Sequence, residues 1–209
     1  TLLEGQRIHA IYDRFPYQRS SQQDPLPFET DIPICNPRAL NLLCKDKWKL
    51  QQLLTKHNIP MPRVCRNGFA QALQEWGLGI AKPQFGSFGA GIYRTKTPPP
   101  QTLPSVVGED PTILQEWIQP PKGWAGMVVR QLIQRDAQQR WCMRRPVVRV
   151  STEDPIVNAT RGAKVHPAQL ILPSSTIVEL QKQSLDIAYI LQREPEGSLF
   201  IEAGIDFVI

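Results

Sequence analysis

The densest concentration of chemically useful residues in this 209-residue chain is the block 81–94, AKPQFGSFGAGIYR. It sets Lys82 just ahead of Gly86, Ser87, Gly89 and Gly91. Glycines at this spacing let the main chain come close to a ligand, and amide N–H groups freed in such a loop can cradle phosphate. Lys82 adds a positive charge and Ser87 a hydroxyl. The order is GxxGxG, without the Lys-Ser/Thr ending of a P-loop, and no helical pattern follows it as it would in a dinucleotide fingerprint. The block therefore reads as a glycine-rich flap joining two antiparallel strands, with an ordinary hairpin and a surface lysine as the plain alternative.

Elements that would position this block can be read from periodicity. Residues 7–12 alternate and predict a strand. Residues 20–37 are rich in Pro, Gln and Asp and predict a connecting loop. Leu40, Leu43, Leu50, Leu53 and Leu54 form an apolar stripe that predicts one helix over 38–57, stopped by Asn58 and Pro60. A short strand at 63–65, a helix at 69–76, and strands at 78–83, 92–95 and 112–118 follow, with 97–104 a proline-rich connector. Residues 126–135 and 140–150 predict two long strands joined by the polar turn 136–139. Thr176 and Glu179 fit a capping box opening a helix to about 193, and 199–209 is strand-like. Helices mixed with antiparallel pairs predict an α+β fold.

Composition limits the partners. A formal net charge of +5 suits a protein that handles anions, but the excess is too scattered to specify nucleic acid. No apolar run approaches the ~18 residues of a membrane span, and no signal-peptide pattern opens the chain, so a cytoplasmic location without membrane contact is expected. Cys35, Cys44, Cys65 and Cys142 form no CxxC pair and are expected to be reduced and mostly buried. His9, His57 and His166 stand apart, with His57 suited to a helix C-terminus.

The order of further motifs resembles the ATP-grasp superfamily. It runs Asp46-Lys47, then Ile59-Pro-Met-Pro62, Lys82-Pro83, the glycine loop and Gln115-Glu-Trp-Ile118. Arg130 in VVRQLI, Arg149, the run Asn158-Ala-Thr-Arg-Gly-Ala163 and the segment 202–209 continue it. The resemblance is similar in detail to the spore-coat-associated and glutamate-ligase branches. It implies an α+β ATP-grasp body of two lobes with the nucleotide between them. Residues 1–36 would be the remnant of an N-terminal domain and its connecting loop, and 37–209 the ATP-grasp domain. The small lobe would span about 63–116 and the large lobe 37–62 and 117–209.

The resemblance also implies roles. Lys47 and Lys82 would bind ATP phosphates, and Gly86, Ser87, Gly89 and Gly91 would close over them. Gln115, Glu116, Trp117 and Ile118 would form the inter-lobe hinge that recognises adenine, with Asn158 also at the nucleotide. Arg130, Arg149 and Arg161 would clamp the acyl phosphate or the substrate carboxylate, and Asp206 would hold Mg2+. The implied reaction is ligation of a small-molecule or peptide carboxylate to an amine through an acyl phosphate, ATP becoming ADP; a homo-oligomer is compatible with it. The alternative is a nucleotide-binding module without ligase activity. Two departures bear on the choice. Val128 replaces the acid of the family's D-x-R strand, so Arg130 must be oriented by some other group. The remaining metal ligands, an E-x-N pair, are expected beyond Ile209, where the chain stops inside an apolar run and more sequence is expected.

Overall fold

The computed structural model describes residues 2–3, 6–7, 9–12, 32–85, 89–105, 108–158 and 161–209. Gly86 and Ser87, and most of the connecting loop expected over 20–37, lie outside the described residues. Two five-stranded sheets carry the architecture.

The N-terminal segment holds short strands β1 (Leu2–Leu3), β2 (Gln6–Arg7), β3 (Ile11–Tyr12) and β4 (Ile34–Cys35). The single strand expected over 7–12 is thus split between β2 and β3. β3 and β4 pair in parallel, Ile11 opposite Ile34 and Tyr12 opposite Cys35.

The helix expected over 38–57 is two helices, α1 (Arg38–Lys45) and α2 (Lys47–Lys56). Asp46 breaks it. Its backbone turns extended (ψ 90°) and its carboxylate accepts the N–H groups of Trp48 and Lys49, both at 3.1 Å. This N-cap satisfies donors that a continuous helix would have bonded to the preceding turn, a gain of about 1 kcal/mol that competes with the apolar period. Asp46 is buried, which makes the cap harder to replace by water. His57 is the C-cap residue of α2.

The first sheet runs in the order β5 (Val64–Cys65), β9 (Gly108–Glu116), β6 (Gly79–Pro83), β7 (Tyr93–Thr95), with β8 (Thr102–Ser105) paired to β9. Helix α3 (Phe69–Trp76) covers one face. Phe69, Leu73, Ala81, Leu103 and Leu114 form the core beneath it. Alternation along β6 sends Gly79, Ala81 and Pro83 into that core and Ile80 and Lys82 to the other face. The connector expected over 97–104 contains β8, whose Leu103 is 3% exposed and fills the core. Its prolines disguise a strand at the sheet margin, where a missing N–H is tolerated.

The second sheet is built on β10 (Gly126–Arg135). β14 (Glu202–Val208) pairs along one side of it, and β11 (Trp141–Met143) and β12 (Val147–Ser151) along the other. The second arm of the expected hairpin is therefore interrupted at Arg144, Arg145 and Pro146, where proline supplies no ladder donor. β13 (Lys164–Pro167), which the polar sequence KVHP did not suggest, pairs with β12. Helix α4 (Ser174–Gln192) covers the inner face. It begins after Pro173 with no side-chain cap, so the capping box at Thr176 and Glu179 does not form; proline's fixed φ already suits the helix start. Ile133, Ile187, Leu191 and Phe200 pack with Leu40 and Leu54 of α1 and α2, and Met127, Val129, Val148, Val150 and Leu180 form the adjoining core. Each such side chain contributes roughly 1.5–3 kcal/mol by leaving water.

The cysteines are unpaired, but Cys44 and Cys142 are exposed and Cys35 and Cys65 half-buried, against the expectation of burial. Among the described residues no helix is long and apolar enough to cross a membrane.

Candidate functional site

Lys82 stands on the face of the first sheet away from α3, and its ammonium donates to Gln115 Oε1 on β9. The register places Ile80 opposite Gln115 and Lys82 opposite Ile113, so Gln115 and Lys82 share that face. Lys47 arrives from α2. Its backbone N–H bonds Gln84 O at 3.2 Å, and its ammonium donates to Pro83 O at 3.0 Å and Gln84 O at 3.4 Å. Gln84 Nε2 in turn donates to Asp46 Oδ1 at 2.8 Å. The cap that splits the predicted helix thus also ties the start of α2 to the end of β6, and this sets Lys47 beside Lys82.

Two ammonium groups in one half-buried place repel. Burial, and after it the charge of Lys47, pushes Lys82 down to about 8. Lys47 is also pushed down to about 8 by burial, against the pull of Asp110 and Asp46. A polyanion would favour the charged form of both lysines by placing further negative charge beside them.

The strand leading out of the first sheet shows which backbone groups are committed. Glu116 N–H bonds Arg63 O at 2.8 Å and Trp117 N–H bonds Leu78 O at 3.2 Å. The Glu116 carboxylate takes two hydrogen bonds from Arg63, each 2.9 Å, which hold it below the usual carboxylate range. The Trp117 ring lies under Arg94, 5.4 Å from the guanidinium carbon. Ile118 N–H has no partner among the described residues. Of the expected hinge residues, Ile118 therefore offers a donor, while Glu116 and Trp117 have theirs engaged.

The described part of the glycine loop is conformationally specific. Gly89 and Gly91 have φ of 77° and 67°, a region that side chains disfavour. A Cβ on Gly91 would lie 2.2 Å from Pro104 O, and one on Gly89 would lie 3.2 Å from Asn158 Nδ2. The flap of the first sheet therefore touches the loop after β12 on the second. In that loop Asn158 O accepts Arg161 N–H at 3.0 Å and Ala163 N–H at 3.1 Å, and the Arg161 guanidinium bonds Asp154 at 3.2 Å.

On the second sheet, Val128, Arg130, Leu132 and Gln134 alternate away from the core, as do Val147, Arg149 and Ser151 of β12 and Gly204, Asp206 and Val208 of β14. Arg130 lies opposite Val147 and Asp206, and Val128 opposite Arg149 and Val208. Arg130, Arg149 and Asp206 thus share one open face. Arg130 Nε and Nη2 donate to the two oxygens of Asp206 at 2.7 and 2.5 Å. This answers the Val128 departure: the acid that orients Arg130 comes from the facing strand. Arg149 has no ion-pair partner among the described residues. Arg161 is joined to Asp154 on the loop.

Asp206, the expected Mg2+ ligand, gives both oxygens to Arg130. No group of three or more His, Cys, Asp or Glu side chains that could hold a metal occurs among the described residues. These residues do not fit a magnesium site by themselves.

Sequence reasoning named Lys47, Lys82, Gln115 and Ile118 from the family resemblance, and the structure brings the first three together. That reasoning missed the supporting Asp46–Gln84 bond, though Asp directly before a helix is a capping signal, and the partner of Arg130, for which no local signal exists.

No protein-family profile matches this sequence, and no curated protein sequence matches it significantly. Solved structures do match. Carboxyaminoimidazole ribonucleotide synthase from Aspergillus clavatus, complexed with ATP, superposes with a TM-score of 0.59 at 13% identity, over 85% of this chain and 44% of that one. D-alanyl-alanine synthetase A from Vibrio cholerae gives 0.56 at 12% identity, over 85% of this chain and 55% of that one. The D-cycloserine synthetase DcsG gives 0.57 at 11%, over 97% of this chain and 71% of that one. The chain spans about half the length of the first two. At this level of identity the likeness is one of architecture, and the chain shares the α+β fold of these structures.

Proposed function

We propose that this chain binds ATP between its two sheets and uses it to join a carboxylate to an amine. The observation that carries the reading is the Lys47–Lys82 pair, two half-buried cations with lowered proton affinity that a polyphosphate would satisfy. Gly89 and Gly91 would close the flap over the phosphates, with Gly86 and Ser87 as its other members. The N–H of Ile118 would meet the adenine edge, with Gln115 orienting Lys82. The names of the matched structures support the class, since they are synthetases and a synthase, one complexed with ATP.

The chemistry asks little covalent work of the protein. A carboxylate oxygen attacks the γ-phosphorus and ADP leaves; the amine nitrogen then attacks the acyl carbon, phosphate leaves and the nitrogen gives up a proton. Positioning and charge compensation supply most of the rate. Arg130, fixed by Asp206, and Arg149, which has no acid partner among the described residues, would orient the carboxylate, because a guanidinium matches it with two donors. The flap would keep water from the acyl phosphate. Asn158 and Arg161 would hold the loop that the flap meets.

A second reading has its own support. With Asp206 committed to Arg130, the fold could serve as a nucleotide-binding module without ligation. Calorimetry with ATP on the wild type and on Lys82→Ala tests the shared part: loss of a charged hydrogen-bond partner should cost about 1.5–3 kcal/mol, roughly tenfold or more in affinity. Equal binding by both proteins removes the nucleotide site. Acid-dependent release of ADP separates ligase from module.

A further inference from the structure

Away from the lysines, one chain of hydrogen bonds crosses the open face of the second sheet. Tyr12 OH donates to Glu202 Oε1 at 2.6 Å, Gln134 Nε2 donates to Glu202 Oε2, and Arg144 Nε donates to Gln134 Oε1 at 2.8 Å. The four residues come from β3, β14, β10 and the break between β11 and β12. The direction of the chain is fixed by chemistry: an ionised carboxylate only accepts and a guanidinium only donates, so the amide between them has one orientation. The net effect is to hold Arg144 by Nε alone, leaving both terminal nitrogens without a hydrogen bond among the described residues.

Four other arginines are joined to acids, Arg63 to Glu116, Arg130 to Asp206, Arg140 to Asp136 and Arg161 to Asp154, while Arg149, like Arg144, has no acid partner among the described residues. Arg144 is instead positioned by a neutral amide and has no ion pair among the described residues. Gln134 lies opposite Glu202 and Arg130 opposite Asp206, with Leu132 opposite Gly204 between them. Gly204 has no side chain, and the Arg130 side chain passes 3.6 Å from where a Cβ would stand. On this strand pair the face between the two anchors carries the Leu132 side chain and, over Gly204, that of Arg130. Positions 130 and 134 are about 13 Å apart along the strand.

Resting on the ligase reading above, we infer that Arg144, positioned by Gln134, Glu202 and Tyr12, binds a second carboxylate of the acid substrate, whose reacting carboxylate meets Arg130. The substrate class is a dicarboxylic acid, free or as part of an acidic peptide.

The test is calorimetric titration of glutarate and of butyrate into the chain saturated with ADP and magnesium. Glutarate should bind at least tenfold more tightly than butyrate. Arg144→Gln should abolish that difference while leaving ADP affinity and butyrate binding unchanged. Gln134→Leu, which keeps the charge but frees it, should shrink the difference several-fold. Equal binding of the two acids by the wild type, or an undiminished preference in Arg144→Gln, overturns the inference while the nucleotide site stands. Failure to bind ADP at all removes the underlying reading as well. A glutamate-terminated tripeptide that outcompetes glutarate identifies the peptide source; the reverse order identifies the free acid.

Discussion

Arg130 and Asp206 face each other across neighbouring antiparallel strands and join through two hydrogen bonds, 76 residues apart in sequence. Both side chains are 41% exposed. That exposure decides what the pair can do: an ion pair open to water contributes at most about 1 kcal/mol to stability. Its value lies in fixing the guanidinium. Asp206→Ala should therefore lower the melting temperature by no more than about 4 °C while releasing Arg130. Calorimetric or fluorimetric melting of Asp206→Ala, Arg130→Ala and the double variant checks this. A loss far above that range in either single variant would mean that the pair supports the fold.

The two lysines predict how pH acts. Both are held near 8 instead of 10.5. Between those values the unfolded chain binds more protons than the folded one, so stability from this source rises as pH increases from 8 towards 10.5. Nucleotide binding runs the other way. A bound polyphosphate returns both lysines to the charged form, so at pH 8 binding takes up roughly one proton in total, and at pH 6.5 almost none. Binding enthalpies in HEPES and Tris should differ at pH 8 and converge at pH 6.5, and affinity should fall as pH rises above 8. Buffer-independent enthalpies at pH 8 would show that the lysines do not meet the phosphates.

How much of this could be read from the sequence depended on how local the cause was. The β6–β7 pair, with Lys82 at the end of β6, was legible because a lysine, a proline and closely spaced glycines announce a strand end and a turn within a dozen residues. Helix α3 was legible for the same reason, with Gly68 and Gly77 marking its ends. The split of α1 from α2 was missed because the leucine stripe continues across Asp46; capping is a local preference of about 1 kcal/mol that the apolar period masks. β8 and β13 were missed because prolines and polar residues at a sheet margin look like a connector. The Arg130–Asp206 pair and the Tyr12–Glu202 bond, 190 residues apart, were beyond reach. Each is set by strand register, which no short motif encodes.

Glycines of the same sign of φ should differ sharply when replaced. Gly77 has φ 74° and nothing within 4 Å of the position a Cβ would take, so Gly77→Ala should cost only the left-handed strain, about 1–2 kcal/mol. Gly91 has nearly the same φ, but its Cβ would strike Pro104 O at 2.2 Å and Pro83 Cγ at 2.9 Å. Gly91→Ala should add about 1–3 kcal/mol of overpacking and shift β8 against β6. Urea midpoints for the two variants give the comparison; equal losses would mean that the flap yields freely at Gly91.

Asp46 does two things at once, and two substitutions separate them. Asp46→Ala removes the cap of α2 and strands Gln84 Nε2, a buried donor, so the loss should be about 1–2 kcal/mol for the cap and about 1–3 kcal/mol for the orphaned amide. Asp46→Asn keeps an acceptor oxygen, and asparagine caps as well as aspartate, so most of that loss should be spared. It does remove a negative charge that helps keep Lys47 protonated. The pKa of Lys47 should then fall further, and the pH at which nucleotide binding takes up protons should move down with it. The expected pattern is a wild-type-like melt for Asp46→Asn with proton uptake visible at lower pH, against a destabilised Asp46→Ala. An unchanged uptake profile in Asp46→Asn would place Lys47 outside the group that answers the phosphates and leave Lys82 as its sole titrating member.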